Sequence, residues 1–294
     1  MGKEILATSS AQHFKVDTGN LKVGRFPNGE VSAVLETDVR DKEVVLVGST
    51  GAPAENLIEL FWALETIVRN GAEKVSLVIP NFGYAKSDKE KVKGQSLSAR
   101  AILNILESLG DGKLNLITTI NIHSQRVVDA SSVPFKSVSA MNLLAEYFKG
   151  KPDLVIVSPD GGGVDRALEF ASFLGIKDIA TIEKNRVWNN PVKVVSITGE
   201  VEGRDCVIVD DRVESGDTIE AAVSALRSKK AGNIFVASVH MDYLGGGYLK
   251  LDGNENVSKI LTTNTTLPVE GLSNKFEIVD ITSIIREVAN NEHE

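Results

Sequence analysis

Only one cysteine, Cys206, occurs in the 294 residues. A single thiol excludes an intrachain disulfide and any multi-cysteine metal site. Its place in the apolar run CVIV reads as a buried, inert side chain. Basic excess is also missing: 32 Lys and Arg stand against 40 Asp and Glu, a net charge of -8. No broad cationic surface follows, so nucleic acid is not an expected partner. No apolar run approaches the roughly 20 residues of a membrane span. The opening MGKEILATSS lacks the long apolar stretch of a secretory signal, and a cytoplasmic protein is expected. What is there is ordinary for a soluble globular chain, 42% hydrophobic and 24% charged, with length for about two domains.

Short apolar runs alternate with longer helical patterns, which predicts a parallel sheet flanked by helices, an α/β fold. Strands are expected at 44–48, 75–80, 116–121, 154–158, 179–183, 206–209 and 234–239. Helices are expected at 54–70, 96–109, 140–148, 164–174 and 218–230. Leu57, Leu60, Leu64 and Ile67 recur at helical spacing and predict a buried face. An internal echo accompanies this pattern. KEVVLVGSTGAPAENLIELFWALETIVRNGAEKVSLVIP parallels RDCVIVDDRVESGDTIEAAVSALRSKKAGNIFVASVH, each a strand, small-residue loop, helix, turn and strand. Two similar domains are expected, 1–139 and 140–280, with the segment from about 281 to 294 placed back on the first. The first loop has Gly48 to Gly51 where the second has Asp210 and Asp211, so only the second carries acids.

The stretch CVIVDDRVESGDTI ends a strand and opens a helix. Ligands bind outside the carboxyl ends of strands in open parallel sheets, and helix N-termini favour phosphate. Ser215 and Thr218 supply hydroxyls, and Gly216 permits close approach. Asp210 and Asp211 would repel a phosphate but accept hydrogen bonds from sugar hydroxyls. A sugar phosphate suits such a loop. An acidic solvated turn with Asp217 or Thr218 as helix N-cap suits it equally.

VIVDDRVESGDTI resembles the signature loop of type I phosphoribosyltransferase folds. GRFPNGEV (24–31), PNFGYAKSDKE (80–90), NIHS (121–124), SPDGGGVDRA (158–167) and IEKNR (182–186) follow one another as in ribose-phosphate diphosphokinases, the phosphoribosyl diphosphate synthetases. The chain is identified as a member of that family from about Gly24 onward, and its EKNR form is similar to archaeal-type members. The resemblance implies two type I phosphoribosyltransferase-like domains. It implies transfer of the diphosphoryl group of ATP to the C1 hydroxyl of ribose 5-phosphate, with Mg²⁺, releasing AMP. Asp210, Asp211, Glu214, Ser215, Gly216, Asp217 and Thr218 would bind ribose 5-phosphate. Lys184 and Arg186 would stabilise the transition state, and the following VWNNPVK would close over the substrates. Phe26, Asn28, Glu30, Lys86, Ser87, Asp88 and His123 would bind ATP, and His123 and Asp160 would serve the metal. Gly161 to Gly163 leave room for a diphosphate. Because the family draws its adenine loop from a neighbouring subunit, a dimer-based homo-oligomer is implied, a hexamer being one candidate size.

The chain also departs from the family pattern. Asn28 stands for aspartate, Lys86 and Ser87 for an Arg–Gln pair, Asp217 for glycine, Glu214 for aspartate, and Asn121 for aspartate. Lysine loses the bidentate fork of arginine, so less selective nucleotide binding is expected. The segment before Gly24 is short and shows no clear helix. A catalytically weak paralogue serving as a regulatory or structural subunit is the alternative from a different class. A base-salvage phosphoribosyltransferase is a third, disfavoured by the doubled architecture.

Overall fold

The computed structural model of the chain describes residues 3–14, 16, 18–185 and 193–290. Two compact units divide it, Met1–Ser139 with Ile281–Glu294, and Ala140–Asp280. The first runs β1 (Glu4–Ala7), a 3₁₀ helix (Ser9–Phe14), β2 (Leu21–Arg25), β3 (Val31–Leu35), β4 (Glu43–Val47), α1 (Glu55–Arg69), β5 (Lys74–Ile79), α2 (Ser98–Gly110), β6 (Leu114–Ile120), α3 (Gln125–Asp129) and β7 (Phe135–Val138). The second holds α4 (Met141–Glu146), β8 (Leu154–Ser158), a 3₁₀ turn (Gly161–Gly163), α5 (Val164–Leu174), β9 (Ile179–Asn185), β10 (Lys193–Thr198), β11 (Asp205–Val213), α6 (Asp217–Ser228), β12 (Ile234–Met241), α7 (Gly247–Gly253), β13 (Lys259–Thr263) and β14 (Phe276–Val279). Helix α8 (Thr282–Asn290) belongs to the first unit, where the Thr282 hydroxyl donates to the Phe14 carbonyl at 2.8 Å.

The first unit has a parallel sheet in the order β1-β4-β5-β6-β7, plus the β2–β3 hairpin. The second has the order β10-β9-β8-β11-β12-β13-β14, parallel except for β10. Its central strands are covered on both faces, which is why β8, β11 and β12 read as continuous apolar runs. In α1 the expected stripe is buried: Leu60, Leu64 and Ile67 are fully enclosed and Leu57 packs beside them. Each enclosed side chain contributes about 1.5–3 kcal/mol of burial free energy.

Three expectations change. A six-residue 3₁₀ helix follows β1 where no helix is legible, closed by buried Ala11 and Phe14. Strands β1, β7, β10, β13 and β14 and the β2–β3 hairpin add to the expected set; they are short, and Glu, Lys or Thr breaks the apolar pattern in most of them. Strand β11 runs to Val213, beyond the expected end at 209, because β12 continues beside it to Met241. Asp210 and Asp211 are therefore strand residues, and the loop proper shrinks to three residues before α6.

The echoed loops take different fates. After β4, Thr50 is fully buried and its hydroxyl accepts the Gly83 N–H at 2.8 Å. A Cβ at Gly83 would fall 2.5 Å from the Thr50 carbonyl and 2.6 Å from the Gly51 Cα. The loop after β5 thus fills the place that the second unit leaves for a ligand. Gly83→Ala forces backbone apart, and we expect a loss of about 1–3 kcal/mol or more in denaturant unfolding of the protein.

Candidate active site

In the second unit the site begins where β11 outruns its neighbour. Strand β11 pairs with β8 only over Asp205–Ile208, whereas its pairing with β12 continues to Val213. Asp210 and Asp211 lie in the overhang, beside the turn that leads from β8 into α5. From α5, Arg166 reaches both: one guanidinium nitrogen is 3.1 Å from Asp210 and 3.0 Å from Asp211. Their side chains are only 13% and 4% exposed. Two enclosed carboxylates thus meet the same guanidinium. Burial first, and then the Asp211 charge, push Asp210 up to about 7. Burial likewise lowers Arg212, against the pull of Glu214, Asp211 and Asp242.

Gly216 adopts φ +77, a left-handed conformation suited to glycine, and caps α6. Asp217 is therefore the first helical residue and not the cap. Its carboxylate accepts the Ser215 hydroxyl at 2.9 Å and pairs with Lys250 of α7 at 2.5 Å. Ser215 is exposed at the loop, and Thr218 lies in the first turn of α6. Gly247 brings α7 against this loop, since a Cβ there would fall 2.0 Å from the Glu214 carbonyl oxygen. The Asp210 and Asp211 carboxylates and the Ser215 and Thr218 hydroxyls therefore lie on one strand–helix junction.

Asp160 is extended, and its Oδ1 accepts the Gly162 N–H at 3.0 Å while its carbonyl accepts the Ser158 hydroxyl at 2.6 Å. Nothing of the chain lies within 4 Å of a Cβ at Gly161, so the open face of the glycine turn has no internal cause. Strand β9 positions the backbone of Lys184, whose side chain is not among those described. Arg186 and the segment to 192 lie outside the described residues.

In the first unit, the Ser124 hydroxyl donates to Asp88 at 2.6 Å, with Arg126 of α3 at 3.9 Å. This joins the SDKE loop to the His123–Ser124 loop. Burial pulls Asp88 up, but Ser124, a backbone N–H and Lys89 and Lys91 outweigh it and hold the carboxyl below its ordinary range. Lys86, Ser87 and His123 are half-buried on these loops. Asn121 sits at φ +40, which an asparagine tolerates. Phe26, Asn28 and Glu30 lie at the tip of the β2–β3 hairpin. The Glu30 N–H donates to the Asn28 side-chain oxygen at 3.2 Å, and Gly29 takes φ +90. Phe26 is 54% exposed. At the hairpin base Arg25 pairs at 3.1 Å with Glu59 of α1, which is 5% exposed.

Arg166, Lys250 and the Arg25–Glu59 pair escape the sequence reading. Arg166 does stand inside the motif SPDGGGVDRA, and a cation two residues from a glycine turn is the one signal available. Cys206 is buried, and burial, followed by Asp205, raises its thiol to about 11, in keeping with an inert side chain. Among the described residues no group of three or more His, Cys, Asp or Glu gathers as a metal site, and no helix is long and apolar enough to cross a membrane.

The Asp210–Asp211 pair has a testable consequence in the ligand-free protein. With Asp210 at about 7 in the fold against its ordinary 3.8, the folded state holds the extra proton. That contribution to stability is complete below pH ~4 and lost as pH rises through ~7. Asp210→Asn removes the loss. Thermal melts at pH 5 and pH 8 should show the variant's Tm advantage over the parent growing with pH.

Comparison with known proteins follows the same division. Residues 2–110 match the family model for the N-terminal domain of ribose phosphate pyrophosphokinase, and residues 139–266 match that of the phosphoribosyl transferase domain. A ribose-phosphate pyrophosphokinase of Ralstonia nicotianae is 33% identical over 264 residues, 88% of this chain and 82% of the relative. Ribose-phosphate pyrophosphokinase 1 of Listeria innocua is 31% identical, covering 98% of this chain and 91% of its own. The crystal structure of phosphoribosylpyrophosphate synthetase from Mycobacterium smegmatis superposes with a TM-score of 0.87 at 24% identity, over 99% of this chain and 98% of that one. That likeness shows the two-domain α/β fold of mostly parallel sheets flanked by helices. With relatives above 30% identity along nearly its whole length, the chain belongs to the ribose-phosphate pyrophosphokinase family.

Proposed function

We propose that this chain transfers the β,γ-diphosphoryl group of ATP to the C1 hydroxyl of ribose 5-phosphate, giving phosphoribosyl diphosphate and AMP. The observation that carries this reading is the pairing of Asp210 and Asp211 with the Ser215–Thr218 loop on one strand–helix junction. The acids accept hydrogen bonds from the ribose hydroxyls. Ser215, the Gly216 backbone and Thr218 hold the 5-phosphate at the positive end of α6. Glu214 shapes the loop through its carbonyl, which Gly247 meets. The C1 oxygen attacks the β-phosphorus, the α,β-bridging bond breaks, and AMP leaves with the bridging oxygen. Negative charge spreads over the phosphoryl oxygens, and Lys184 and Arg186 stabilise it.

Lys86, Ser87, Asp88 and His123 hold the nucleotide on the two loops that the Ser124–Asp88 hydrogen bond joins. Phe26, Asn28 and Glu30 form the adenine loop. Exposed at a hairpin tip, the Phe26 ring suits a nucleotide presented to a neighbouring copy, so the active enzyme is a dimer-based homo-oligomer of the cytoplasm.

Magnesium fits the donors present. It takes one or two carboxylates together with substrate phosphates in preference to an all-protein cage, and two enclosed carboxylates stand within 3.1 Å of one Arg166 nitrogen here. Asp160 or the Asp210–Asp211 pair would hold it, together with the substrate phosphates. Bound magnesium neutralises charge on the diphosphoryl oxygens. Imidazole is a poor magnesium ligand, so His123 acts as a donor to the phosphates.

The deciding assay mixes purified protein, ATP, Mg²⁺ and ribose 5-phosphate and follows AMP and phosphoribosyl diphosphate. Lys184→Ala should lower kcat by about 100- to 1,000-fold, the scale for removing one preorganised charge from a transition state. No turnover in the parent, indistinguishable from Lys184→Ala, would point to the regulatory paralogue. Comparing ATP, GTP and CTP as donors tests selectivity. With Lys86 and Ser87 in place of a bidentate arginine and a glutamine, GTP or CTP should support measurable turnover, and strict ATP preference at ordinary affinity would count against this.

A further inference from the structure

Asp217 is the one residue of the phosphate loop whose charge opposes its ligand. Its carboxylate stands at the first position of α6, against the Ser215 hydroxyl. A dianionic 5-phosphate at that helix end would meet a fixed negative charge in its path, and Asp217 already holds the hydroxyl the phosphate needs.

Helix α7 supplies the answer. Gly246, at φ +71, opens it, and the bare Gly247 lets it sit directly on the Glu214–Gly216 backbone. That seating puts the fourth residue of α7, Lys250, over the first turn of α6, with its ammonium 2.5 Å from the Asp217 Oδ1. The opposite carboxylate oxygen takes the Ser215 hydroxyl. Both hydrogen bonds hold Asp217 ionised, Lys250 foremost. Glu220, one turn along α6, adds to the negative field that Lys250 faces. Both partners are substantially exposed, and an exposed pair adds little to stability. The consequence of the pair therefore falls on the ligand and not on the fold.

We infer that Lys250 is a positioning residue for ribose 5-phosphate: it neutralises Asp217 and holds that carboxylate off the phosphate position. The inference rests on the reading of residues 215–218 as the 5-phosphate site. It assigns the otherwise unabsorbed LGGGYLK stretch to substrate binding through Asp217, without contact between Lys250 and the sugar phosphate itself.

Four variants test it by steady-state kinetics and by titration with ribose 5-phosphate alone. Lys250→Ala should raise KM and Kd for ribose 5-phosphate about 10-fold, the effect of one uncompensated charge on a dianion a few ångströms away, while KM for ATP moves less than about twofold. Adding Asp217→Asn to Lys250→Ala should recover most of the lost affinity, because the opposing charge is gone. Asp217→Asn alone should not weaken binding as Lys250→Ala does. If the double variant stays as weak as Lys250→Ala, Lys250 touches the phosphate itself and the inference falls; it falls equally if Lys250→Ala leaves affinity unchanged. Ser215→Ala separates the two levels. Unaltered ribose 5-phosphate affinity in Ser215→Ala overturns the phosphate-loop reading and the inference with it. Weakened binding in Ser215→Ala beside normal binding in Lys250→Ala overturns the inference alone.

Discussion

Two carboxylates enclosed around one guanidinium organise the second unit. Asp210 and Asp211 can be placed there only because β11 extends past the end of its pairing with β8, leaving an open flank that the Ser158–Gly163 turn and α5 line. Arg166 brings one guanidinium nitrogen to both acids. Breaking such a group by removing the arginine would leave uncompensated buried charge, so Arg166 is fixed by the acids as much as they are by it. The arrangement is costly without a ligand, and a residual negative charge in a cleft is what a polyhydroxyl sugar and a divalent cation can use. Stability is surrendered at the place where substrate binding restores it.

The loop beyond that pair continues the same logic with opposite sign. A phosphate needs N–H groups and hydroxyls, which Gly216, Ser215 and Thr218 supply at the start of α6. Acids at the sugar end and donors at the phosphate end are separated by only a few residues, so stray charge must be controlled locally. Asp217 is turned aside to Lys250, and the glycines that let α7 approach are the means. In the first unit the corresponding loop is packed instead. Thr50 and Gly51 are filled from within by Asn81 to Gly83, and the candidate nucleotide residues sit instead on the later loops around Asp88 and His123. The echoed strand–loop–helix thus occurs twice, once as the proposed site and once as packing.

How much of this is legible in sequence depends on whether a feature is local. The central strands are visible because enclosure on both faces demands unbroken Val, Ile and Leu, and α1 is visible because its stripe keeps helical spacing. Outlying strands such as KILTT of β13 or KVVSIT of β10 are short and carry Lys and Thr, so their pairing is decided by neighbours that a linear reading does not see. The acids, glycines and hydroxyls of the loop are contiguous and declare themselves. Arg166 meets Asp210 across 44 positions, and Lys250 meets Asp217 across 33. Such pairs are products of the crossover topology, and no spacing rule finds them. The end of β11 is misread for a related reason: two aspartates look like a turn until β12 is known to run alongside.

Not every departure from the family pattern carries the same weight. Asn28 uses its side-chain oxygen to accept the Glu30 N–H and so shapes the hairpin tip. An aspartate would offer the same acceptor in the same place, so this exchange preserves the turn and leaves the exposed Phe26 where it is. The turn also depends on Gly29 at φ +90, which is retained. Asn28 therefore offers little reason to expect altered donor choice. Lys86 is different, because an ammonium has no planar pair of donors to match the two edges of a base or phosphate, and Ser87 is too short to substitute for glutamine's reach. On the proposed reading, selectivity for the donor nucleotide would rest on the hairpin and on the Asp88–Ser124 junction, with the intervening cation contributing charge more than shape.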